Sequence, residues 1–353
     1  MTLKRLFWIS EEKRLGAFWR IGSQTILMMV LLMVFGTPMI LLIQRLPGDL
    51  STSWHLLLAL RFLNQLLILL AIVGSVWLGG RFLDGRRFSD FGLRFNRDWW
   101  LDFGFGLLLG AFLMGLIFLA EWSAGWVTIT GHMVTPSTSF PFWLAVLYQI
   151  GWFGLVAIEE ELLFRGYHLK NLAEGLANIQ LLSSKTAILL SLIFSSIGFG
   201  LLHVNNPNAT WVSTLNIAGA GILLGLGYIL TGELAIPIAL HITWNFFQGN
   251  VFGFPVSGVA DDVSFLSIRQ GGPDLYTGGA FGPEAGLIGV AAVALGCVLV
   301  LGYVRWRYGS IHLRETLTAA DFLPRKKQKL AALRAQSNDD AAAEQTQTTD
   351  PLV

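Results

Sequence analysis

Cysteine is almost absent from this chain: Cys297 stands alone in the apolar run LIGVAAVALGCVLVLGY. One cysteine excludes an intramolecular disulfide and any cysteine-rich metal knot, and such surroundings suit a small packed residue. Charge is also scarce. Asp, Glu, Lys and Arg make up 13% of the 353 residues, against about 25% in an ordinary soluble domain. The two signs nearly cancel, leaving a formal net charge of +1, so no global field points to a nucleic-acid partner. No internal repeat is visible, which removes the symmetry argument for an inverted-repeat transporter. What is abundant is apolar: 54% of residues are hydrophobic, and mean hydropathy is +0.59. A chain of that composition has lipid as its main solvent.

A membrane-crossing helix needs roughly 20 apolar residues. Eight segments qualify as spans: about 21–44, 56–80, 102–121, 141–167, 187–204, 212–231, 234–250 and 285–305. The first apolar run is too long for the core of a cleaved signal peptide, so it is expected to stay with the protein. Span two holds Arg61, Asn64 and Gln65 and should turn those positions toward protein. Spans four to seven carry polar, ionisable and Gly residues, whereas one, three and eight are plainer. The expected fold is therefore an all-α polytopic transmembrane bundle of about eight spans, with a functional core in spans four to seven.

Loop charges set the orientation. Lys4, Arg5, Lys13, Arg14 and Arg20 precede or open span one, and Arg81, Arg86, Arg87, Arg94 and Arg97 follow span two. Lys170 and Lys185 follow span four, and Arg305, Arg307, Arg314, Arg325, Lys326 and Lys327 follow span eight. The alternate loops hold only Arg45 and Arg269. This alternation fits both termini on the cytoplasmic side of a bacterial-type inner membrane. The loop 251–284 is Gly-rich, with Pro255, Pro273 and Pro283; it is too polar to span and reads as a lid, a re-entrant element or a plain loop. From about Arg325 the chain mixes charge with Ala, Gln and Thr and is expected to lack a packed fold.

Ionisable residues inside membrane segments are costly and usually functional. Here they fall in three places. In AIEEELLFRGY, Glu161 and Arg165 are four apart and share a helix face. Successive helical residues point about 100° apart, so at most one or two of Glu159, Glu160 and Glu161 can face one site. A plain interfacial charge cluster is the alternative. In IGFGLLHVNNP, Phe199 lies one turn before His203; a lone His near a helix end is more often a structural hydrogen-bonding group. In IPIALHITWNFFQGN, His241 and Asn245 share one face, and could hold a metal, a water or an oxyanion, or serve as interhelical glue.

Taken together and in this order, EExxxR, FxxxH and HxxxN on separate apolar segments resemble the CAAX-protease and bacteriocin-processing (CPBP, Abi) intramembrane peptidases. The matching residues are Glu160, Glu161 and Arg165, then Phe199 and His203, then His241 and Asn245. The FRG sequence at Phe164–Gly166 fixes the register and leaves Glu159 outside the motif. The likeness is strong over about 140–250 and only general before it. It implies a catalytic Glu160, a supporting Glu161–Arg165 pair, a His203 that helps bind or activate water, and a His241 and Asn245 that contact water, metal or oxyanion. It also implies three parts: N-terminal spans and a loop over 1–125, a catalytic domain over 126–310 and a polar tail over 311–353.

Peptide hydrolysis needs a base for water and donors for the tetrahedral oxyanion, and this residue set contains both. His203, His241 and Glu160 are also a candidate zinc set, and the family has been described both as metalloproteases and as metal-free glutamate proteases. HExxH is absent, as are GxSxG and an intramembrane GxGD pair, which weakens other protease mechanisms. The expected activity is hydrolysis of a peptide bond in a membrane-associated protein or peptide. A non-catalytic membrane scaffold and a transporter using Glu160, His203 and His241 as a proton relay are the competing readings. One tension is spatial. If span four ended near 167, Glu160 would lie toward the cytoplasmic end and His203 toward the outer end of span five. The pattern LLFRGYHLKNL therefore predicts a deeper helix, about 148–172.

Overall fold

A computed structural model describes residues 7–9, 12, 14–46, 54–136, 141–319 and 331; the expected polar tail beyond Arg325 otherwise lies outside the described residues. The long apolar runs become helices because a lipid-facing backbone must satisfy its own hydrogen bonds. In chain order they are α1 (Ala17–Gln44), α2 (Trp54–Leu78), α3 (Arg97–Ser123), α4 (Phe142–Ala177), α5 (Ser184–Leu202), α6 (Trp211–Thr231), α7 (Ala235–Phe246) and α8 (Leu287–Tyr308). All but α7 are long and apolar enough to cross a membrane, seven among the described residues. The protein is an all-α polytopic bundle with two small two-stranded ladders.

The span expected at 234–250 is the exception. α7 has 12 residues and passes into a π-helical turn, Phe247–Val251. It falls short of a lipid-spanning length because it sits inside the bundle, with every residue from Ala235 to His241 buried. α3 makes room for it. A Cβ on Gly106 would lie 2.7 Å from the Ile236 carbonyl oxygen, and one on Gly110 2.7 Å from that of Leu240. This small-xxx-small stripe lets the two backbones touch.

Contacts between loops fix the two ends of the bundle. At one end Leu234 N donates to the Gly92 carbonyl, Arg314 N to that of Ile229, and Arg20 pairs with Asp84. This end holds the start of α1 and the finish of α8, so it is called the terminal end. At the opposite loop end, Asn206 Nδ2 donates to the Ser257 carbonyl at 3.0 Å and Gly258 N to that of Phe281 at 2.8 Å. α7 begins at the terminal end and finishes at the loop end, so although short it still traverses the bundle.

The segments expected to be loops are more ordered than their composition suggests. β1 (Val127–Val134) pairs antiparallel with β2 (Ser264–Gln270), with an irregularity between Ile129 and Gly131. The segment 251–284 is thus neither a plain loop nor a re-entrant element: it carries a strand and lies across the loop end.

α4 resolves the tension in depth. It runs 36 residues, Phe142–Ala177, about 54 Å of helix, and so extends even beyond the deeper helix expected from sequence. Leu162–Leu169 is π-helical, a widening that recurs at functional sites. α4 and α5 form a hairpin around 178–183. Measured from that turn, Glu160 and His203 both lie about 25–28 Å along their helices. They share a level, and Phe164 meets Phe199 one turn below them, with ring centroids 5.6 Å apart.

Candidate active site

The three successive glutamates of α4 point in three directions, as a 100° step requires. Glu159 turns to α2 and accepts from Gln65 Nε2 at 2.7 Å. This buries Gln65, one of the three polar residues of α2 expected to face protein; Asn64 is half-buried and Arg61 is exposed. Glu160 lines a cavity of about 360 Å³. Glu161 is fully buried, and its Oε1 accepts from Arg165 Nη1 and from His241 Nδ1, each at 2.9 Å.

Arg165 is held on all sides. Its Nη2 donates to the Gly221 carbonyl of α6 at 3.1 Å, and its guanidinium lies 4.3 Å over the Phe199 ring. One side chain thus links α4, α5 and α6, and through Glu161 it fixes the imidazole carried by α7. Because a carboxylate only accepts, His241 Nδ1 is the donor and Nε2 is left toward the cavity. There it lies 3.9 Å from Glu160 Oε2. His203 is set in the same way: its Nδ1 donates to the Phe199 carbonyl at 2.9 Å, leaving Nε2 for the cavity it lines. Asn245, one turn beyond His241, lines the same wall.

The six residues singled out from the sequence therefore assemble around one place. Glu160, His203, His241 and Asn245 line the cavity, while Glu161 and Arg165 stand behind His241. Trp152, Phe153, Leu223 and Leu240 supply apolar wall, and Arg61 of α2 reaches the cavity as well.

His203 Nε2, His241 Nε2 and the Glu160 carboxylate face one cavity while each Nδ1 is held by a carboxylate or a carbonyl, the way a metal-ligating His is held. Among the described residues, however, no three His, Cys, Asp or Glu side chains lie close enough together to hold an ion.

Sequence reading missed the roof. Glu284, from the turn before α8, lines the cavity. Its Oε2 accepts from Ser257 N at 2.7 Å and Ser257 Oγ at 3.1 Å. Ser257 adopts φ 47°, a conformation unusual outside glycine, and the two bonds to Glu284 hold it there. Asp261 accepts from Asn250 Nδ2 at 3.0 Å and from Val263 N at 3.1 Å. Burial pushes both carboxyls above their ordinary range, against the pull of these donors. Their signal in the sequence was slight: an acidic residue after Gly-Pro, and Asp261-Asp262 inside a Gly-rich loop.

No curated protein and no solved structure matches the chain. A family model does, that of the Type II CAAX prenyl endopeptidase Rce1-like proteins, over residues 141–247. That interval holds α4 to α7 and all six residues, and ends before the roof. Residues 141–247 are thus similar to the Rce1-like CAAX protease domain, within a chain that has seven helices long and apolar enough to cross a membrane among the described residues.

Proposed function

We propose that the chain is an intramembrane endopeptidase in which Glu160 activates water. The observation that carries this reading is the 3.9 Å separation of Glu160 Oε2 from His241 Nε2 across a cavity also lined by His203 and Asn245. A water bridging the two would lie about 2.8 Å from each and give a hydrogen to each. Glu160 takes one proton as the water oxygen bonds to the scissile carbonyl carbon. The carbonyl oxygen becomes an oxyanion, met by the Asn245 amide and by the His203 edge when it carries a proton. Glu160 then returns its proton to the departing amine nitrogen, the C–N bond breaks, and a carboxylic acid and an amine leave. Glu161 and Arg165 do not touch the peptide in this scheme; they keep His241 in the tautomer that accepts from water. The substrate is a membrane-associated protein or peptide, and the terminal end, which gathers the positive loops, faces the cytoplasm of the cell membrane.

The test is cleavage by purified protein in liposomes. Two fluorogenic probes are offered: a farnesylated peptide ending in a CAAX box, and an unprenylated single-span peptide. Cleavage of either by wild type, lost in Glu160→Gln and insensitive to chelators, is the expected result. Retained cleavage in Glu160→Gln overturns the role of Glu160. Loss on chelation, restored by zinc, overturns the metal-free step.

A further inference from the structure

The cavity is lined by residues of the end of the bundle opposite the positive charge, namely Pro136, Asn206, Ser257, Val259 and Asp262, and by none from the loops of the terminal end, which places its mouth at the loop end. The loops at that end carry only Arg45 and Arg269 as Lys or Arg. The terminal end carries the rest of the loop cations. Three of those, Arg14, Arg20 and Arg86, are buried on acidic partners, but Arg81, Arg87, Arg94, Arg97, Lys185 and Arg305 remain exposed there. Positive loops near span ends stay on the cytoplasmic side. The same geometry that joins the start of α1 and the finish of α8 at one end therefore puts the cavity mouth at the other.

We propose that the catalytic cavity opens on the extracytoplasmic face and receives the membrane-proximal segment of an exported or membrane-anchored polypeptide, rather than a prenylated C-terminus presented from the cytoplasm. The inference rests on the protease reading for its substrate and on charge and contacts alone for its orientation. The cavity wall agrees with such a substrate. Below the polar rim lie Trp152, Phe153, Leu223 and Leu240, an apolar sleeve for side chains emerging from the bilayer, and Arg61 and Asp262 stand where a polar flanking sequence would pass. The roof that narrows this mouth, 256–263 with Glu284, lies outside the segment matched by the family model. The access route is thus built by this chain's own loop.

Two measurements test the two halves separately. In a Cys297→Ser background, single cysteines replace Leu275 and Asp262 at the loop end, and Leu181 and His312 at the terminal end; all four sites are exposed. A membrane-impermeant maleimide applied to intact spheroplasts is expected to label Leu275→Cys and Asp262→Cys, and to reach Leu181→Cys and His312→Cys only after permeabilisation. The reverse pattern overturns the orientation. For the substrate, the single-span fluorogenic peptide is added to spheroplasts and to inside-out vesicles holding wild type or Glu160→Gln. Glu160-dependent cleavage in spheroplasts, lost in inside-out vesicles, is expected. Cleavage confined to inside-out vesicles, or of the farnesylated peptide in them, overturns the substrate assignment. Absence of cleavage in both preparations overturns the protease reading and the substrate with it, while the labelling pattern decides the orientation on its own.

Discussion

The molecule buries two groups of charges, and they are built differently. At the terminal end, Arg14, Arg20 and Arg86 converge on Glu174, and Arg20 also binds Asp84 at 2.6 Å. All five are buried. Each carboxylate there faces a guanidinium, and none of the five lines the catalytic cavity. In the middle of the bundle only Glu161 and Arg165 are paired so directly. Glu160 faces His241 at 3.9 Å, too far for a hydrogen bond, and its side chain keeps 22% exposure to the cavity. The terminal cluster ties α1, α2 and α4 together and has little capacity left for a ligand. The central one leaves a carboxylate and two imidazole edges on open space. Burial of charge alone does not mark a site; unfinished pairing beside a cavity does.

The contrast is broken most sharply by removing one charge from each group. Glu160→Gln keeps the shape of the side chain but cannot take a proton. Its cleavage rate is expected to fall by about 10²–10⁴-fold, with a thermal melt matching wild type. A parallel drop in melting temperature would show that Glu160, too, is structural. Glu174→Ala is expected to do the opposite. It removes the carboxylate that three buried guanidinium groups share, leaving Arg86 without an acidic partner among those described, and costs about 3–5 kcal/mol, read as poor accumulation and a lowered unfolding midpoint. Normal expression of that variant would mean that the terminal cluster is dispensable.

Asn245→Ala sharpens the division within the central group. If the amide donates to the oxyanion, kcat falls by about 10²–10³-fold while KM holds; a change confined to KM would move Asn245 to substrate binding. Glu284→Ala deprives the Ser257 amide of its acceptor, at about 1–3 kcal/mol. The expected readout is faster hydrogen exchange over 256–259 with α4 and α7 unchanged, and exchange that rises throughout would make Glu284 a global support. The smallest effect is with pH. Asp261 has its folded-state pKa raised by burial. Its contribution to stability is therefore full below its unfolded value, about 3.9, and is lost as pH rises through the raised value. Melting temperature should decline over that interval in wild type and less in Asp261→Asn; equal slopes would assign the decline to other groups.

The helices were legible because lipid demands long apolar runs, and the sequence has them. The assembly around the cavity was legible because four-residue spacings put Glu161 with Arg165, and His241 with Asn245, on single helix faces. What escaped did so for physical reasons. The full length of α4 was hidden because its last turns face protein rather than lipid, so its final residues, Glu174 among them, lie past even the deeper helix expected. Arg14, Arg20 and Arg86 looked like interfacial loop charges, since their partners Asp84 and Glu174 are distant in sequence in each pairing. β1 and β2 lie in polar stretches more than a hundred residues apart, where no local pattern announces a partner. Glu284 acquires its place only through the turn at Ser257, a contact between two loops.

The burial of α7 has a consequence for how the chain is made. A helix inserting alone into a bilayer is judged on its own hydrophobicity, and α7 offers only a short stretch interrupted by His241, Thr243 and Asn245, with Gln248 close behind. Such a segment is a poor candidate for autonomous partitioning. Its stability comes instead from backbone-to-backbone contact with Gly106 and Gly110 of α3, which is synthesised well before it. The groove on α3 thus acts as a template: biogenesis must keep that groove free of lipid and of other helices until α7 emerges, and two of the six candidate site residues enter the fold only at that late docking step.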